Sequence, residues 1–393
     1  MAITVTGGPA YGWAWNKTTD TGTRVASAAG LTAGASFNSI APWTAQRCNL
    51  WDDGTPTAYY GDRCYTDTDV ANMGQAMVQI PKCYYLTAYD AGTTTYYWFL
   101  TTNASTSIDL GLGAGAQTVK IDPAFSRGGV IKDNIYISAY EGYHNPNTLM
   151  LESKSGVLPS SSMTLAQFRT AAELRAGSAN KWEVQDYLSH SLVQRMYLIE
   201  YGGFDSQTLL GAGITNAAAV QNTGYTSTLG NASGNVNISG AVYAMSYRGI
   251  ENLYGNQLRL IDGLNVKGDY HVWVADHNFV SCITGDTSTG FDGTVYKDTT
   301  LGMYPLNLST GWIGDITINT ATPYSDVGFI PAANTGSATT RLYDNFAART
   351  LNRIMAVSAI YNEGSSAGAF RVSIWSAPET TSTVTGSRLM YIG

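Results

Sequence analysis

Short runs of apolar and aromatic residues, separated by polar turn-forming segments, follow one another along most of the chain. Runs of three to seven mainly apolar or aromatic residues, each bounded by Gly, Asn, Asp, Pro or Ser, predict β-strands. The predicted strands cover residues 76–80, 83–89, 95–100, 119–121, 135–140, 243–246, 258–261, 271–274, 354–357, 370–375 and 388–392. The second and third of these form a predicted hairpin, with the turn at Asp90-Ala91-Gly92.

Two segments have helical periodicity instead. Thr164 and Gln167 form a T-x-x-Q capping box, in which the two side chains satisfy free backbone donors of the first turn. The helix that this box starts is expected to stop at Gly177. A second helix is predicted over residues 183–200, with one apolar stripe that consists of Val184, Leu188, Leu192, Met196 and Ile199.

Two helices among many short strands predict an α+β fold. Residues 1–70 are dense in Gly and Asx turns, which favours a small β-rich N-terminal module ahead of a larger domain over 71–393. We separately expect this module to serve for attachment or assembly. Residues 204–239 are rich in Gly, Asn, Ser and Thr and are predicted to form a long loop.

Composition limits the class of partner. Only 13% of the 393 residues are charged, about half the roughly 25% of an ordinary soluble domain, whereas 44% are hydrophobic and 26 are Tyr. The net charge is −7 and no basic run occurs, which argues against nucleic acid and anionic membranes as partners. No apolar stretch approaches the ~20 residues of a membrane span, and the N-terminus lacks a signal-peptide pattern. We therefore expect a protein that stays in the cell or leaves it inside a virus particle.

Neither a metal nor a cofactor is predicted. The cysteines (Cys48, Cys64, Cys83 and Cys282) show no CxxC spacing. Cys48 and Cys64 could form a disulfide, but free thiols are the simpler interpretation without a secretion signal. A metal bound by His271 and His277 would need a third ligand such as Asp276.

No catalytic motif stands out. Glu200 and Asp205 form the best pair of carboxylates for glycoside hydrolysis, a reaction that needs two such groups across a cleft. Arg248 and Glu251 are expected to form a buried ion pair of structural purpose. We therefore predict that the chain is not an enzyme and has no catalytic residues.

Several strings together carry a resemblance to a known family. MVQIPKCYY at 77–85 resembles the MVxIPKFYY strand of a family of phage tail and receptor-binding proteins. Other blocks that match in order are RCNLWDDG at 47–54, IYISAYEG at 135–142, SYRGIENLYG at 246–255, AGAF at 367–370 and GSRL at 386–389. The resemblance implies a C-type lectin fold of the formylglycine-generating-enzyme subclass, with twisted antiparallel sheets and two helices. The variable proteins of diversity-generating retroelements share that fold, and they assemble as homotrimers.

The resemblance also implies where a ligand binds. Residues 326–392 look like the C-terminal cassette of those variable proteins, in which changeable surface positions sit on a fixed framework. The implied contact positions are Tyr343, Asn345, Phe346, Arg349, Ile360, Tyr361, Asn362, Glu363, Ser366, Arg371, Ser373, Trp375, Glu379, Thr380 and Thr381. Ser358-Ala359 departs from the family, which usually has Gly-Gly there.

The implied function is adhesion. Enzymes of the same fold work through cysteines near the C-terminus, whereas the last cysteine here is Cys282, and the calcium motifs of sugar-binding lectins are absent. The expectation is a phage receptor-binding protein in the virion, at the tail tip or fibre, which contacts other tail proteins and a host cell-surface protein or glycan. The alternatives are a depolymerase or glycosidase that acts on host polysaccharide, and a variable protein on a bacterial cell surface.

Overall fold

The computed structural model describes residues 3–175, 181–268, 271–281, 291, 293–302, 311–349 and 352–393. Gly177, the expected helix stop, and Cys282 lie outside these residues. Strands account for 37% of the described residues and helices for 12%. The α-helices in the described part are α1 Val70–Met73, α2 Leu165–Glu173, α3 Tyr187–Tyr201 and α4 Ser206–Leu210. Single 3₁₀ turns lie at Ala35–Phe37, Pro123–Phe125, Ser227–Leu229 and Gly364–Ser366.

The strands are short and spread over the whole described chain. The first half contains β1 Thr4–Thr6, β2 Tyr11–Asn16, β3 Thr21–Ala26, β4 Gln46–Leu50, β5 Pro56–Tyr59, β6 Gln75–Pro81, β7 Tyr84–Asp90, β8 Thr95–Thr101, β9 Ser107–Asp109, β10 Gln117–Thr118, β11 Lys120–Ile121, β12 Ser126–Arg127, β13 Val130–Ile131, β14 Asn134–Ser138, β15 Gly142–His144 and β16 Leu151–Ser153. The second half contains β17 Trp182–Val184, β18 Gly234–Ser239, β19 Val242–Tyr247, β20 Ile250–Glu251, β21 Leu258–Val266, β22 His271–Val274, β23 Lys297–Gly302, β24 Gly311–Trp312, β25 Asp315–Thr317, β26 Ile330–Ala333, β27 Asn345–Ala348, β28 Arg353–Val357, β29 Val372–Ile374, β30 Thr385–Gly386 and β31 Leu389–Tyr391.

Three sheets make up most of the structure. One has the order β11-β7-β8-β2-β3, the second β17-β31-β14-β6-β4-β5, and the third β23-β22-β21-β28-β29-β27-β24, with β30 added beside β21. Most pairs are antiparallel, but β27 runs parallel to β29, and β30 runs parallel to β21. The predicted hairpin is confirmed, because β7 pairs with β8 from Tyr84–Thr101 to Asp90–Thr95.

The helix α3 packs between the first and the third of these sheets. It packs against β2 and β8 of the first sheet and β21 of the third. Every residue from Tyr187 to Glu200 is buried, so the helix is covered on all faces rather than along the single predicted apolar stripe. Its polar side chains therefore need partners: Gln194 Nε2 donates to the Ala369 carbonyl at 2.7 Å, and Arg195 Nη2 donates to Asp122 at 2.5 Å.

Both predicted helices are present, but only the first begins where the sequence predicts. The capping box of α2 is confirmed: Thr164 Oγ1 accepts from the Gln167 N–H, and the Gln167 side chain accepts from the Thr164 N–H. The predicted start of α3 at residue 183 is wrong. The helix begins after Asp186, whose carboxylate accepts from the Ser189 N–H, because Trp182–Val184 forms β17 and pairs with β31.

The expectation of an α+β, C-type lectin-like fold is wrong. The structure is mostly β-sheet, and the described residues contain four helices, of which two have five residues or fewer. Many strands have only two to four residues, too short to produce a recognisable alternation in the sequence. The predicted loop at 204–239 is also interrupted by α4, a 3₁₀ turn and β18. None of the helices in the described residues combines the length and the apolarity needed to cross a bilayer.

The strands of the N-terminal 70 residues belong to sheets that also contain later strands. β1 pairs with β9, β2 with β8, and β4 with β6. That residues 1–70 act as an attachment or assembly module stays a prediction.

The buried histidine of α3 gives the fold a pH dependence that can be tested. His190 has neither ring nitrogen hydrogen-bonded within the described residues, and burial, together with Arg259 and Arg388, lowers its pKa from 6.5 to about 3. Since the unfolded chain takes up this proton below about pH 6.5 and the folded chain does not, the titration of His190 leaves folding unaffected above pH 6.5 and opposes it increasingly as the pH falls toward 3.

We expect the His190→Leu variant to lose this component of acid sensitivity, which is about 1.4 kcal/mol per pH unit below pH 6.5. Urea unfolding of both proteins between pH 7.5 and 4.5 checks it, because the other titrating groups are common to both and cancel in the difference. Parallel stability profiles for the two proteins would contradict the assignment.

Candidate functional site

The fifteen predicted contact residues differ in their access to solvent. Six are exposed: Arg349, Asn362, Trp375, Glu379, Thr380 and Thr381. Five are half-buried: Tyr343, Ile360, Tyr361, Glu363 and Ser366. Four are buried: Asn345, Phe346, Arg371 and Ser373. The buried four offer almost no surface to a ligand and pack inside the framework in this structure.

The accessible residues divide between two ends of the third sheet. Because β27 and β29 are parallel, with Phe346 opposite Val372 and Ala348 opposite Ile374, both strands start at one end of the sheet and finish at the other. Tyr343 and the loop over residues 360–366 belong to the end where these strands start. Arg349 and Trp375 come directly after the last residues of the two strands and lie at the opposite end.

Arg349 and Trp375 form an exposed stacked pair. The Arg349 guanidinium carbon lies 3.4 Å from the centroid of the Trp375 ring, which is 43% exposed. The Arg349 N–H donates to the Ile374 carbonyl at 3.1 Å, which fixes the register of the two residues. A cation over an indole face keeps both side chains extended on the surface, where they can contact a partner.

The loop over residues 360–366 is anchored by an ion pair. Glu363 accepts from both terminal nitrogens of Arg371, and its carboxylate also accepts from the Ile360 N–H at 2.8 Å. The loop is tied to the segment before β18, because the Ala217 N–H donates to the Tyr361 carbonyl at 2.7 Å. Glu363 and Arg371 therefore hold the loop in shape and leave Tyr361 and Asn362 at its surface.

A cleft of about 230 Å³ lies beside Tyr343. Four separate segments build it: β2, the turn into β3, the junction of α3 and α4, and the residues before β27. Its lining includes Trp13, Trp15, Asp20, Gly22, Gly202, Gly203, Phe204, Asp205, Thr208, Leu209, Arg341 and Tyr343. We call this the Trp15–Tyr343 cleft.

Hydrogen bonds fix the polar groups of the Trp15–Tyr343 cleft. Asp20 accepts from Trp15 Nε1 at 3.1 Å through one oxygen and from the Arg341 N–H at 2.7 Å through the other. Asp205 caps α4 by accepting from the Thr208 N–H at 3.0 Å. Burial, with the nearby Asp20 and Asp205 carboxylates, raises the pKa of Tyr343, so its hydroxyl remains a hydrogen-bond donor at neutral pH.

The backbone around this cleft is strained. Asp20, Arg341 and Tyr343 have φ values of 54°, 65° and 61°, in the left-handed region that residues other than Gly rarely adopt. Such conformations persist only where the surrounding structure holds them, and they cluster at ligand sites. The three residues are therefore held at a fixed geometry at the mouth of the Trp15–Tyr343 cleft.

Glu200 and Arg248 are partners in the structure, whereas the sequence offers Asp205 as the best carboxylate neighbour of Glu200 and Glu251 as the ion-pair partner of Arg248. Glu200 is buried and accepts from Arg248 Nη2 at 2.5 Å and from the Tyr247 hydroxyl at 2.9 Å, so it does not form a catalytic pair with Asp205 across a cleft. Glu251 instead accepts from the Gly224 and Thr226 N–H groups, both at 2.7 Å, and is not the partner of Arg248.

The two histidines considered as metal ligands each contact an aspartate, and the two cysteines considered for a disulfide are unbonded. His271 Nδ1 lies 2.9 Å from Asp298, and His277 Nδ1 lies 2.5 Å from Asp276. The described residues contain no group of three His, Cys, Asp or Glu side chains that could hold a metal. Cys48 and Cys64 are free thiols, the first buried and the second exposed, so the disulfide interpretation is wrong.

Sequence reasoning misses most of the cleft. Trp15, Asp20 and Arg341 are not among the sequence candidates, and Asp205 is one only as a partner of Glu200. The closely spaced aromatics Trp13 and Trp15 are a weak signal. No sequence rule joins them to Arg341, more than 300 positions further on.

Comparison with known proteins gives little further information. No protein-family model matches the chain, and no curated protein is similar to it in sequence. A solved structure that is similar is the Major Tropism Determinant P3c Variant, at 10% identity and a TM-score of 0.29, over 99% of this chain and 83% of that chain. A TM-score this low does not establish a shared fold.

Proposed function

We propose that the chain is a receptor-binding protein of a phage virion, carried at the tail tip or fibre, which adheres to a host-surface ligand. The Arg349–Trp375 pair carries this proposal. Trp, Tyr and Arg are the residue types that contribute most to binding interfaces, and an exposed, stacked Trp–Arg pair presents such a surface to a partner. The resemblance of the strings at 47–54, 77–85, 135–142 and 246–255 to phage tail proteins supports the same function.

The surface composition fits adhesion through aromatic and hydroxyl groups. Tyr361, Asn362 and Thr380 lie at the surface of the cassette, and the chain carries few charges. Aromatic side chains provide a large contact area for a small loss of conformational entropy. Weak individual sites are sufficient when several copies on one virion bind together, because the effective concentration of the second site is high.

Binding of purified protein to host cells tests the proposal. We expect the wild-type protein to bind host cells and the Trp375→Ala/Tyr361→Ala variant to lose binding at least about tenfold, the consequence of losing about 1.4 kcal/mol. Its melting temperature should stay near that of the wild type, since Trp375 is exposed and Tyr361 is only half-buried. Trp51→Ala, which removes another exposed indole, is the matched control and should bind normally. Normal binding by the double variant would show that the receptor site lies at neither of these two ends of the third sheet.

We propose that the chain binds its ligand without cleaving it. Asp20 and Asp205 both line the Trp15–Tyr343 cleft, but both oxygens of Asp20 already accept hydrogen bonds from protein groups. Incubation of the protein with host capsule polysaccharide should release no oligosaccharide. Released product would instead support the depolymerase alternative.

Two further parts of the proposal concern assembly and variation. We propose a homotrimer that contacts other tail proteins through its N-terminal region, and sedimentation of the purified chain should give about three times the mass of 42.0 kDa. We also propose that residues 326–392 form a diversified cassette. A reverse-transcriptase gene beside a near-copy of the coding segment that differs at adenines would support that.

A further inference from the structure

We infer that the Trp15–Tyr343 cleft is a subsite for one neutral hexopyranose unit of a host-surface glycan. The inference deepens the proposed function and rests on it, because it names the chemical class that the adhesin would recognise. It concerns residues from four segments of the chain, most of which lie outside the C-terminal cassette.

The size and walls of the cleft suit a single sugar ring. Its volume of about 230 Å³ is below the ~300 Å³ at which sites for drug-sized ligands begin, so it admits one ring and not an extended chain. Leu209, which is 41% exposed, provides apolar surface for a C–H face of a pyranose, whereas Trp13, Trp15 and Phe204 also line the cleft but are at most 3% exposed. Gly202 and Gly203 add no side chain to the wall that they form.

The polar groups supply the donors and acceptors that sugar hydroxyls need. The cap of α4 uses one oxygen of Asp205, and the other has no donor among the described residues. Tyr343 offers a hydroxyl, and Arg341 offers a guanidinium whose Nη1 lacks a partner among the described residues. Trp13, which is 1% exposed, has an indole Nε1 that is likewise unpartnered in the described part of the chain. Each unpaired buried group favours a ligand that satisfies it.

Charge selects among sugars. Two carboxylates and one guanidinium line the cleft, so its formal charge is negative and uronic or sialic acids are disfavoured. A neutral hexose or N-acetylhexosamine carries no such penalty. Asp20 is already satisfied by Trp15 and Arg341, so we assign it to positioning the Arg341 segment, and Asp205, Arg341 and Tyr343 to contact with the sugar.

Ligand-observed NMR on the full chain tests the assignment. The probes are D-glucose, D-galactose, D-mannose and N-acetyl-D-glucosamine, with D-glucuronate as the charged comparison. We expect at least one neutral probe to bind with a Kd of about 1 mM, which is ordinary for one weak site, and glucuronate to bind more weakly. No binding by any neutral probe at about 100 mM, a hundredfold above that Kd, would overturn the inference, as would tighter binding of glucuronate.

Three variants locate the site. Asp205→Asn keeps a good helix cap but exchanges the free oxygen for an amide donor, and we expect about a tenfold loss of affinity. Tyr343→Phe removes only a hydroxyl and should weaken binding in the same direction. Tyr225→Phe makes the same change at an exposed tyrosine outside the cleft, so it is the matched control and should bind as the wild type does. Unchanged sugar binding by Asp205→Asn and Tyr343→Phe would place the sugar elsewhere and overturn the assignment.

Host-cell binding separates this inference from the proposed function. If Asp205→Asn binds cells normally while the wild type binds them too, the sugar subsite is wrong and the adhesin proposal stands. If wild-type binding survives periodate treatment of the cells but not protease treatment, the receptor is a protein and the inference again fails. If the wild type does not bind host cells at all, the proposed function itself fails.

Discussion

Replacing Arg248 with Met should lower the free energy of unfolding by about 3–5 kcal/mol, because it leaves the Glu200 carboxylate buried without its counter-charge. Arg248 donates to both Glu200 oxygens, at 3.0 and 2.5 Å, and further to Asn38 Oδ1 at 2.6 Å and the Gly34 carbonyl at 3.1 Å. The pair thus joins the end of α3 to the N-terminal segment. Equilibrium unfolding in urea measures the loss.

A double variant separates the buried charge from the packing. Arg248→Met/Glu200→Gln removes both charges and should be more stable than Arg248→Met alone, since no uncompensated ion remains. Arg349→Met makes the same change at an exposed position and should alter stability by no more than about 0.5 kcal/mol. Two results would contradict the claim that Arg248 compensates the buried charge of Glu200. One is an Arg248→Met protein as stable as the wild type, and the other is a double variant less stable than Arg248→Met.

Local signals in the sequence predict local structure well. The capping box of α2, the hairpin of β7 and β8 and the strand at 271–274 lie at their predicted positions, because each depends on neighbours within a few residues. The predicted start of α3 is wrong for a tertiary reason: Glu183 and Val184 have helical spacing with residues 188–199, but pairing with β31 holds them in a strand.

Long-range pairing cannot be predicted in the same way. Arg248 has a glutamate three positions away in the sequence, yet its partner is Glu200, because Glu251 is used by the backbone of 224–226. The Trp15–Tyr343 cleft needs Asp20 and Arg341 in contact, and no pattern in one sequence records that. The predicted fold class is wrong because strands of two or three residues leave no periodicity to detect.

The second large effect is expected at Trp98, at the centre of the aromatic core. Its ring centroid lies 5.7 Å from that of Trp13, 5.7 Å from Tyr96 and 5.5 Å from Phe329, and the side chain is fully buried. Trp98→Ala should therefore cost about 3–5 kcal/mol through lost burial and the cavity left behind. Trp51→Ala, at an exposed position, is the matched control and should cost far less.

The same variant tests whether residues 1–70 are a separate unit. Trp13 comes from that region, Trp98 from the strands after it, and Phe329 from the C-terminal cassette, so one ring cluster joins all three. We therefore expect a single calorimetric transition in the wild type, with calorimetric and van't Hoff enthalpies that agree, and a shift of the whole transition in Trp98→Ala. Two transitions, only one of which moves, would instead show that the N-terminal region folds independently. β2 of the N-terminal region pairs with β8 along six residues, so the strands of that region have no complete sheet without the rest of the chain. This dependence favours a single transition.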